Sequence, residues 1–275
     1  MFTLNSRGRL LVVDKPLVMG IINVTPDSFF EGSRFADPEK VLSKAGQMIS
    51  EGAAMIDIGG QSSRPGAELI SIDEERKRVI GMILQLRKHF PGIFISIDTF
   101  RSPVAREAVA AGADIINDIS AGNFDQEMFQ TVADLGVPYI CMHMKGGPAN
   151  MQKNPIYEDV MREVLDFFIE RLSVCRNAGI KDILIDPGFG FGKTSAHNFA
   201  LLQNLSLFQM LGCPILLGVS RKSSIYKTLG ISPDEALNGT TVLNTVGLLR
   251  GASILRVHDV REAMEAITLV KKLPK

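Results

Sequence analysis

Polar and ionisable residues recur at the downstream ends of short apolar runs along this chain. Asp98 ends the run 93–97, Asn117 follows Ile115-Ile116, and Asp186 follows the run 183–185. Two carboxylates and an amide could hydrogen-bond along one edge of a flat heterocycle that carries an amidine-like pair of N–H groups. Each carboxylate alone could equally cap a helix or a loop. Three such groups on three separate strands favour a binding site.

Cationic and hydrogen-bonding side chains form a second set, which comprises Arg64, Lys222, Arg256 and His258. Arginine binds phosphate oxygens through a two-pronged guanidinium and lysine acts as a point charge, so this set predicts a site for a dianion or a diphosphate. Two alternatives stay open. Arg64 could be a solvated loop residue, and His258 could be a packed histidine.

Asn23, Thr25 and Asp27 open the first long loop of the chain. An amide oxygen and a carboxylate could hold a magnesium ion against phosphate oxygens, because Mg²⁺ keeps several waters and takes few protein ligands. The alternative is a turn that its own Asn and Asp side chains stabilise.

A glycine-rich stretch, residues 188–194, resembles a nucleotide-binding loop at first sight. It matches neither pattern, because Pro187 stands where a phosphate loop needs glycine and Lys193 stands where the dinucleotide fingerprint needs it. Phe189 or Phe191 could instead stack on a flat ligand, since the neighbouring glycines permit close approach.

The elements that carry these residues alternate regularly along the chain. Continuous apolar strands separated by amphipathic helical segments predict a parallel sheet covered by helices. Eight such units favour closure into a (β/α)8 TIM barrel over an open doubly wound sheet, which would concentrate its ligand groups at one switch point. In a barrel the strand ends meet at one mouth, and the polar residues would share it. Other runs end in Asn23, Asp57, His143, Ser220 and Arg256.

The length of 275 residues agrees with one domain, residues 1–275, since such barrels take about 250 residues. About fourteen residues precede the first barrel strand, and we expect this N-terminal extension to form a hairpin that closes the barrel bottom. The seventh strand is expected over 215–219, one helix over 195–211, and the next helix from Ser232-Pro233.

Composition limits the partners of the chain. Thirty basic residues balance thirty acidic ones, so no net charge attracts nucleic acid or an anionic membrane. The N-terminus lacks the apolar region of a secretory signal, and no apolar stretch is long enough to cross a bilayer. Cys141, Cys175 and Cys213 fit neither a disulfide framework nor a zinc site. We therefore expect a cytoplasmic protein that acts on small molecules, without nucleic acid or membrane partners.

Seven motifs, in order along the chain, resemble those of the dihydropteroate synthase family. They are Met19–Phe29, Asp57–Gly66, Ser96–Thr99, Ile116–Asp118, Asp186–Lys193, Ser220–Ser223 and Arg256–His258. The resemblance implies an enzyme of folate biosynthesis, the target of sulfonamides, that condenses 6-hydroxymethyl-7,8-dihydropterin diphosphate with 4-aminobenzoate to give 7,8-dihydropteroate and pyrophosphate. It also implies a Mg²⁺ cofactor and a homodimer.

The resemblance implies roles for individual residues. The pterin would lie against Asp98, Asn117, Met142, Asp186, Phe191 and Lys222. The diphosphate would lie near Asn23, Ser63, Arg64, Arg256 and His258, with magnesium at Asn23. Aminobenzoate would lie among Asp27, Arg64, Pro65, Phe191, Ser220 and Lys222. The catalytic groups would be Asp98, Asp186, Lys222 and Arg256. Because the leaving group departs from an allylic-type methylene, we expect a dissociative substitution that these groups stabilise electrostatically.

One motif departs from the family pattern, which usually reads Gly-Glu-Ser-Thr-Arg-Pro. Gln61 replaces the glutamate and Ser63 the threonine. Ser63 keeps a hydroxyl, whereas Gln61 removes a charge and with it any acidic role. Two other functions stay open. A pterin-binding methyltransferase acting on a corrinoid protein shares the Asp, Asn and Asp set but needs neither the first loop nor the lysine motif. An inactive pterin-binding paralogue would not need the phosphate-binding cations.

Overall fold

Eight short parallel strands form the centre of the protein in a computed structural model, which describes residues 1–24, 37–62, 66–147, 151 and 154–274. A hairpin, β1 (Phe2–Ser6) and β2 (Arg9–Val13), precedes them. The barrel strands are β3 (Leu17–Asn23), β4 (Met55–Gly59), β5 (Phe94–Asp98), β6 (Ile115–Asp118), β7 (Tyr139–Met142), β8 (Ile183–Asp186), β9 (Leu216–Leu217) and β10 (Ile254–Val257). Their spatial order is β8, β7, β6, β5, β4, β3, β10, β9, and a parallel bridge between Ile185 and Ile215 joins the two outer strands. The predicted (β/α)8 TIM barrel is confirmed.

Helices follow the strands and cover the outside of the barrel. They are α1 (Pro38–Ser50), α2 (Ile72–His89), α3 (Ser102–Ala110), α4 (Met128–Leu135), α5 (Val160–Asn177), α6 (Ser195–Gln203), α7 (Ser223–Leu229), α8 (Leu237–Leu249) and α9 (Val260–Val270). Asp37 caps α1 by accepting from the N–H of Glu39, and Pro38 stands in the first turn, where its missing N–H costs no hydrogen bond. None of the helices within the described ranges is long and apolar enough to span a membrane.

Three expected boundaries near the seventh strand were wrong. The α-helix from Ser195 ends at Gln203, because the φ and ψ angles of Asn204 are not helical. A separate 3₁₀ helix, Leu205–Leu211, follows it. The expected strand over 215–219 is only Leu216–Leu217. A short helix, α7, was not expected, and α8 begins at Leu237 rather than at Ser232. The N–H and hydroxyl of Ser232 instead bind the carboxylate of Glu235 in a tight turn.

Alternation along the strands decides which side chains enter the barrel, because successive residues of a strand point to opposite faces. Near the start of every barrel strand, one apolar residue points inward and packs in a common cluster with the others. This layer comprises Met19, Met55, Phe94, Ile115, Ile140, Leu184, Leu216 and Ile254. The residues between them, such as Ile56, Ile116 and Leu255, point outward and pack against the helices. Positions two or four residues beyond the apolar layer therefore point inward again, toward the mouth.

The N-terminal hairpin closes the bottom of the barrel, as predicted. Leu4 and Val13 are buried and pack in one cluster with the apolar inner layer. Arg9 binds the buried carboxylate of Asp114 at 3.1 Å, and its guanidinium donates to the backbone oxygen of Ile93 at 3.2 Å. The hairpin is thus held by apolar burial and by hydrogen bonds to the loops beneath the barrel.

Candidate active site

The register of the barrel brings the predicted polar residues to one level at its carboxyl end. Asn23 pairs with Gly59, Gly59 with Asp98, and Asp98 with Asn117 across β3 to β6. Asp186 pairs with Met142 across β8 and β7. All these residues follow the inner apolar layer by two or four positions, so their side chains share the barrel mouth.

One pocket lies at this mouth and collects all six residues predicted to contact a pterin. Its lining consists of Asp98, Asn117, Ile119, Met142, Asp186, Phe191, Gly218, Lys222 and Arg256. Ile119, Met142 and Phe191 belong to a small apolar cluster, whereas Asp98, Asp186, Lys222 and Arg256 are ionisable. A flat ligand with an apolar face and a polar edge matches this division.

Arg256 anchors the ionisable side of the pocket. Its Nε donates to Oδ2 of Asp57 at 2.6 Å, and its Nη2 donates to Oδ2 of Asp98 at 2.8 Å. Nδ2 of Asn117 also donates to Oδ2 of Asp57, at 3.1 Å. Four residues from β4, β5, β6 and β10 are therefore joined across the barrel interior.

Asp57 is a site residue to which the sequence reasoning assigned no role. It is fully buried, and its second oxygen, Oδ1, has no hydrogen-bond partner among the described residues. The signal was present in the sequence, because Asp57 ends an apolar run and lies two residues after the inward-pointing Met55. Asp118, another buried aspartate at a strand end, points outward instead and accepts from the hydroxyl of Tyr139 at 2.7 Å.

Burial sets the proton affinities in the pocket. It raises the pKa of Asp98 to about 7, against the opposing charge of Arg256. Burial also raises the pKa of Asp186, which Lys222 opposes. It lowers the pKa of Lys222 to about 8, against the opposing charge of Asp186. Asp98 and Lys222 therefore change charge near neutral pH, which is common for groups that handle charge in catalysis.

Lys222 reaches the pocket from the N-terminal end of α7. Its Nζ donates to the backbone oxygen of Phe189 at 2.5 Å and lies 4.6 Å from the ring centroid of Phe191. A Cβ atom added to Gly218 would lie 3.7 Å from Nζ of Lys222 and 3.7 Å from Oδ2 of Asp186. Gly218 thus places no side chain beside the lysine and the carboxylate.

The glycine-rich stretch is folded around a buried lysine rather than a phosphate. Nζ of Lys193 lies 2.8 Å from Nδ1 of His143 and donates to the backbone oxygens of Gly188, at 3.0 Å, and Phe191, at 3.1 Å. Gly188 has a φ of 69°, and a side chain there would overlap the backbone oxygen of His143. The loop therefore presents Phe191 to the pocket while the side chain of Lys193 stays inside the protein.

Ser220, His258 and Asn23 lie at the rim. Oγ of Ser220 is 3.0 Å from Nδ1 of His258, and the backbone N–H of His258 donates to the same oxygen at 3.2 Å. Asn23 is half-buried, and a Cβ atom added to Gly59 would lie 3.3 Å from its Oδ1. Four further predicted site residues, Asp27, Ser63, Arg64 and Pro65, lie outside the described residues.

Gln61 shapes the start of the loop that follows β4. Its Nε2 donates to the backbone oxygens of Ser62, at 2.9 Å, and Glu68, at 3.0 Å, while its Oε1 accepts from the N–H of Ile70 at 2.9 Å. Only an amide satisfies both kinds of partner, because a carboxylate has no hydrogen to donate. Gln61 therefore supports the loop ends and holds no acidic group toward the pocket.

Comparison with known proteins assigns this geometry to one family. The family described as pterin binding enzyme matches residues 19–258. The dihydropteroate synthase of Escherichia coli (strain K12) is 42% identical over 268 residues, which cover 97% of this chain and 94% of that protein. The Yersinia pestis dihydropteroate synthase, solved as a sulfonamide drug complex, superposes with a TM-score of 0.93 at 41% identity over 98% of both chains. The Xanthomonas albilineans dihydropteroate synthase, solved with 4-aminobenzoic acid, superposes with a TM-score of 0.92 at 42% identity over 99% of both.

Proposed function

This chain belongs to the dihydropteroate synthase family of pterin binding enzymes, and we propose that it condenses 6-hydroxymethyl-7,8-dihydropterin diphosphate with 4-aminobenzoate. The products are 7,8-dihydropteroate and pyrophosphate, in the synthesis of folate. One observation carries the proposal: a single pocket is lined by Asp98, Asn117, Met142, Asp186, Phe191 and Lys222, the set that the family resemblance implies for the pterin.

The pocket suits the polar edge of a pterin. The carboxylate of Asp186 accepts from the N–H of Gly188 at 2.7 Å, which fixes its orientation. A fixed carboxylate can accept two hydrogen bonds from the amidine-like N–H groups of the ring. Lys222 would donate to the ring's acceptor atoms on the other side of Gly218, and Met142 and Phe191 would cover the ring faces.

The reaction breaks the bond between the pterin methylene and the diphosphate oxygen, and forms a bond between the methylene carbon and the amine nitrogen. We propose that cleavage runs ahead of attack, because the pterin ring can spread the developing positive charge. Asp98 and Asp186 would stabilise that charge, while Arg256 and His258 would stabilise the departing diphosphate. Preorganised charges of this kind usually make the largest catalytic contribution. The amine loses its proton after attack, and pyrophosphate leaves with the electron pair of the broken bond.

Magnesium is the proposed cofactor. Among the described residues no cluster of three acidic, histidine or cysteine side chains could hold a metal. Asn23 offers a half-buried amide oxygen at the mouth, which fits an ion held mainly by water and substrate phosphates. Bound there, the ion would neutralise charge on the diphosphate; Arg256 and His258 would orient that group beside it.

A homodimer is also proposed. Helix α8 contains no charged residue over Leu237–Leu249, and Val242 and Leu249 expose their side chains on it. An amphipathic helix on a barrel normally presents charged residues to water, so an uncharged outer face favours burial against a second copy. We further propose that residues 1–275 act as one pterin-binding domain in the cytoplasm, where the buried thiols of Cys141, Cys175 and Cys213 would stay reduced.

Pyrophosphate release tests the proposed function. The purified protein would be incubated with pterin diphosphate, 4-aminobenzoate and Mg²⁺, and pyrophosphate and dihydropteroate would be measured together. We expect both products only when both substrates are present. An inactive paralogue would bind the pterin without product, and a methyltransferase would release no pyrophosphate, so either result would reject the proposal.

A further inference from the structure

The seventh barrel strand is too short to position the site residues that follow it. β9 pairs with β10 only at Leu216 with Ile254 and Leu217 with Leu255. Ser220 lies three residues beyond the last of these pairs, and His258 also lies three residues beyond it. The hydrogen bonds between β9 and β10 therefore end before either residue, although β10 stays paired with β3 through Val257. Other contacts must align the Ser220 segment with the His258 segment.

Side chains supply that alignment. The guanidinium of Arg221 forms a two-pronged pair with Asp259, with Nε to Oδ2 at 2.9 Å and Nη2 to Oδ1 at 2.9 Å. One residue before each partner, Oγ of Ser220 lies 3.0 Å from Nδ1 of His258. Two parallel bridges thus connect the segments, and the arginine fork has the geometry that gives the strongest and most directional pairs.

Arg221 is itself held firmly on the side of β9. Its backbone N–H donates to Oγ1 of Thr240 at 3.0 Å, and its Nη1 donates to the backbone oxygen of Asp234 at 2.8 Å. Its φ is 53°, in the left-handed region that side chains with a Cβ seldom occupy. This backbone conformation sets the direction in which the next residue, Lys222, enters the pocket. The ion pair between Arg221 and Asp259 opposes a return of the Arg221 backbone to a less strained conformation.

We infer that Arg221 and Asp259 are positioning residues that set the separation between the Ser220–Lys222 segment and the Arg256–His258 segment. The inference rests on the proposed function. The β10 segment has a second anchor, because Arg256 binds Asp57 and Asp98. Loss of the fork would therefore displace mainly Ser220 and Lys222, the groups proposed to contact aminobenzoate.

Kinetics of Arg221→Gln, Asp259→Asn and the double variant test the inference. We expect each single change to raise the KM for 4-aminobenzoate about tenfold, since a small displacement of a positioning group has effects of that order. The KM for pterin diphosphate should change less than about threefold, because Lys222 is the one proposed pterin contact that moves, whereas Asp98, Asn117 and Asp186 stand on other strands. The double variant should resemble the single ones, because either change already breaks the fork. Arg221→Lys, which keeps the charge but not the fork, should restore only part of the affinity.

Arg76→Gln is the matched control. Arg76 forms an equivalent pair with Glu107, with Nε to Oε2 at 2.8 Å, but it links α2 to α3 away from β9 and β10. This variant should keep both KM values, and melting curves would show that all variants are folded at the assay temperature. If Arg221→Gln does not fold, the KM values of Asp259→Asn and Arg221→Lys test the inference in its place.

Unchanged KM values for aminobenzoate, equal changes in both KM values, or additive effects in the double variant would each overturn the inference. Failure of the proposed function looks different, because the unaltered protein would then make no dihydropteroate at all.

Discussion

Asp186 is the carboxylate that we propose binds the amidine-like edge of the pterin. One of its oxygens accepts from Gly188 at 2.7 Å and the other faces the space beside Gly218. Asp186→Asn keeps the shape but replaces an acceptor with a donor, so a charge-assisted pair to the pterin would be lost. We expect a loss of about 1.5–3 kcal/mol in the binding of pterin diphosphate, measured by calorimetry.

Asp182→Asn provides the control for that change, because Asp182 is also an aspartate near β8 but binds the N–H of Asn5 at the opposite end of the barrel. Its affinity for pterin diphosphate should equal that of the unaltered protein. An affinity of Asp186→Asn within twofold of the same value would contradict the role of this carboxylate.

The pH dependence of kcat/KM should be bell-shaped. Burial raises the pKa of Asp98 to about 7, so activity should rise with pH as this group becomes the carboxylate that we propose stabilises the pterin cation. Burial lowers the pKa of Lys222 to about 8, so activity should fall at higher pH as the ammonium is lost. Steady-state rates between pH 5 and 10, with saturating magnesium, would measure both limbs.

The alkaline limb can be assigned with Lys222→Arg. A guanidinium stays charged throughout this range, so any remaining activity should no longer fall near pH 8. A profile of unchanged shape in that variant would show that another group controls the limb.

Single residues at strand ends were predictable because strand alternation fixes their direction. Asn117 and Asp118 are adjacent, yet only Asn117 is in phase with the inner layer, and only it lines the pocket. The same parity would have selected Asp57. The partners of Arg256 were not predictable, because Asp57 and Asp98 lie 199 and 158 residues away along the chain.

The N-terminal hairpin is an element whose contribution can be measured separately from catalysis. Leu4 is 2% exposed and packs on the inner layer, whereas Leu10 on the partner strand is 61% exposed. We expect Leu4→Ala to lower the free energy of unfolding by about 2–5 kcal/mol in urea titrations. Leu10→Ala, the same change on the outer face, should alter it by less than about 0.5 kcal/mol.

The hairpin lies at the bottom of the barrel, so neither change should alter the KM for either substrate. Equal stability losses in the two variants would show that the hairpin does not close the barrel through its inner face.

Helices were predictable where apolar residues recurred at helical spacing over several turns and where typical helix-start and helix-end residues marked their bounds. Pro38 at the start of α1 and Gly136 after α4 are examples, and Gly136 adopts the left-handed conformation of a helix end. The bounds of the strand after β8 were not predictable. Residues 215–219 are all buried, so the sequence shows no alternation of apolar and polar residues there. α7 spans only Ser223–Leu229, too short for a helical period to emerge.

At the scale of the whole molecule, the proposed homodimer makes a prediction about α8. Val242 is 52% exposed on this uncharged helix. Val242→Asp should shift the protein from dimer to monomer in sedimentation experiments, because an isolated charge would be buried in the interface.

Leu84→Asp is the control, since Leu84 is 53% exposed but lies on the charge-rich helix α2. Its mass should remain that of the unaltered protein. A monomer before any substitution, or dissociation in both variants, would contradict an interface at α8.

The seam of the barrel lies between β8 and β9, where Ile185 and Ile215 form an isolated bridge among the described residues. By comparison, β9 and β10 form two residue pairs, and β3 and β4 form five. Local opening costs the least free energy where two strands share the fewest hydrogen bonds. The backbone amide hydrogens of β8 and β9 should therefore exchange with solvent earlier than those of the other barrel strands. Asp186 and Lys222 stand on opposite sides of this seam. A ligand that binds both Asp186 and Lys222 would hold β8 and β9 together. Its binding should therefore slow deuterium uptake by the backbone amides of these two strands.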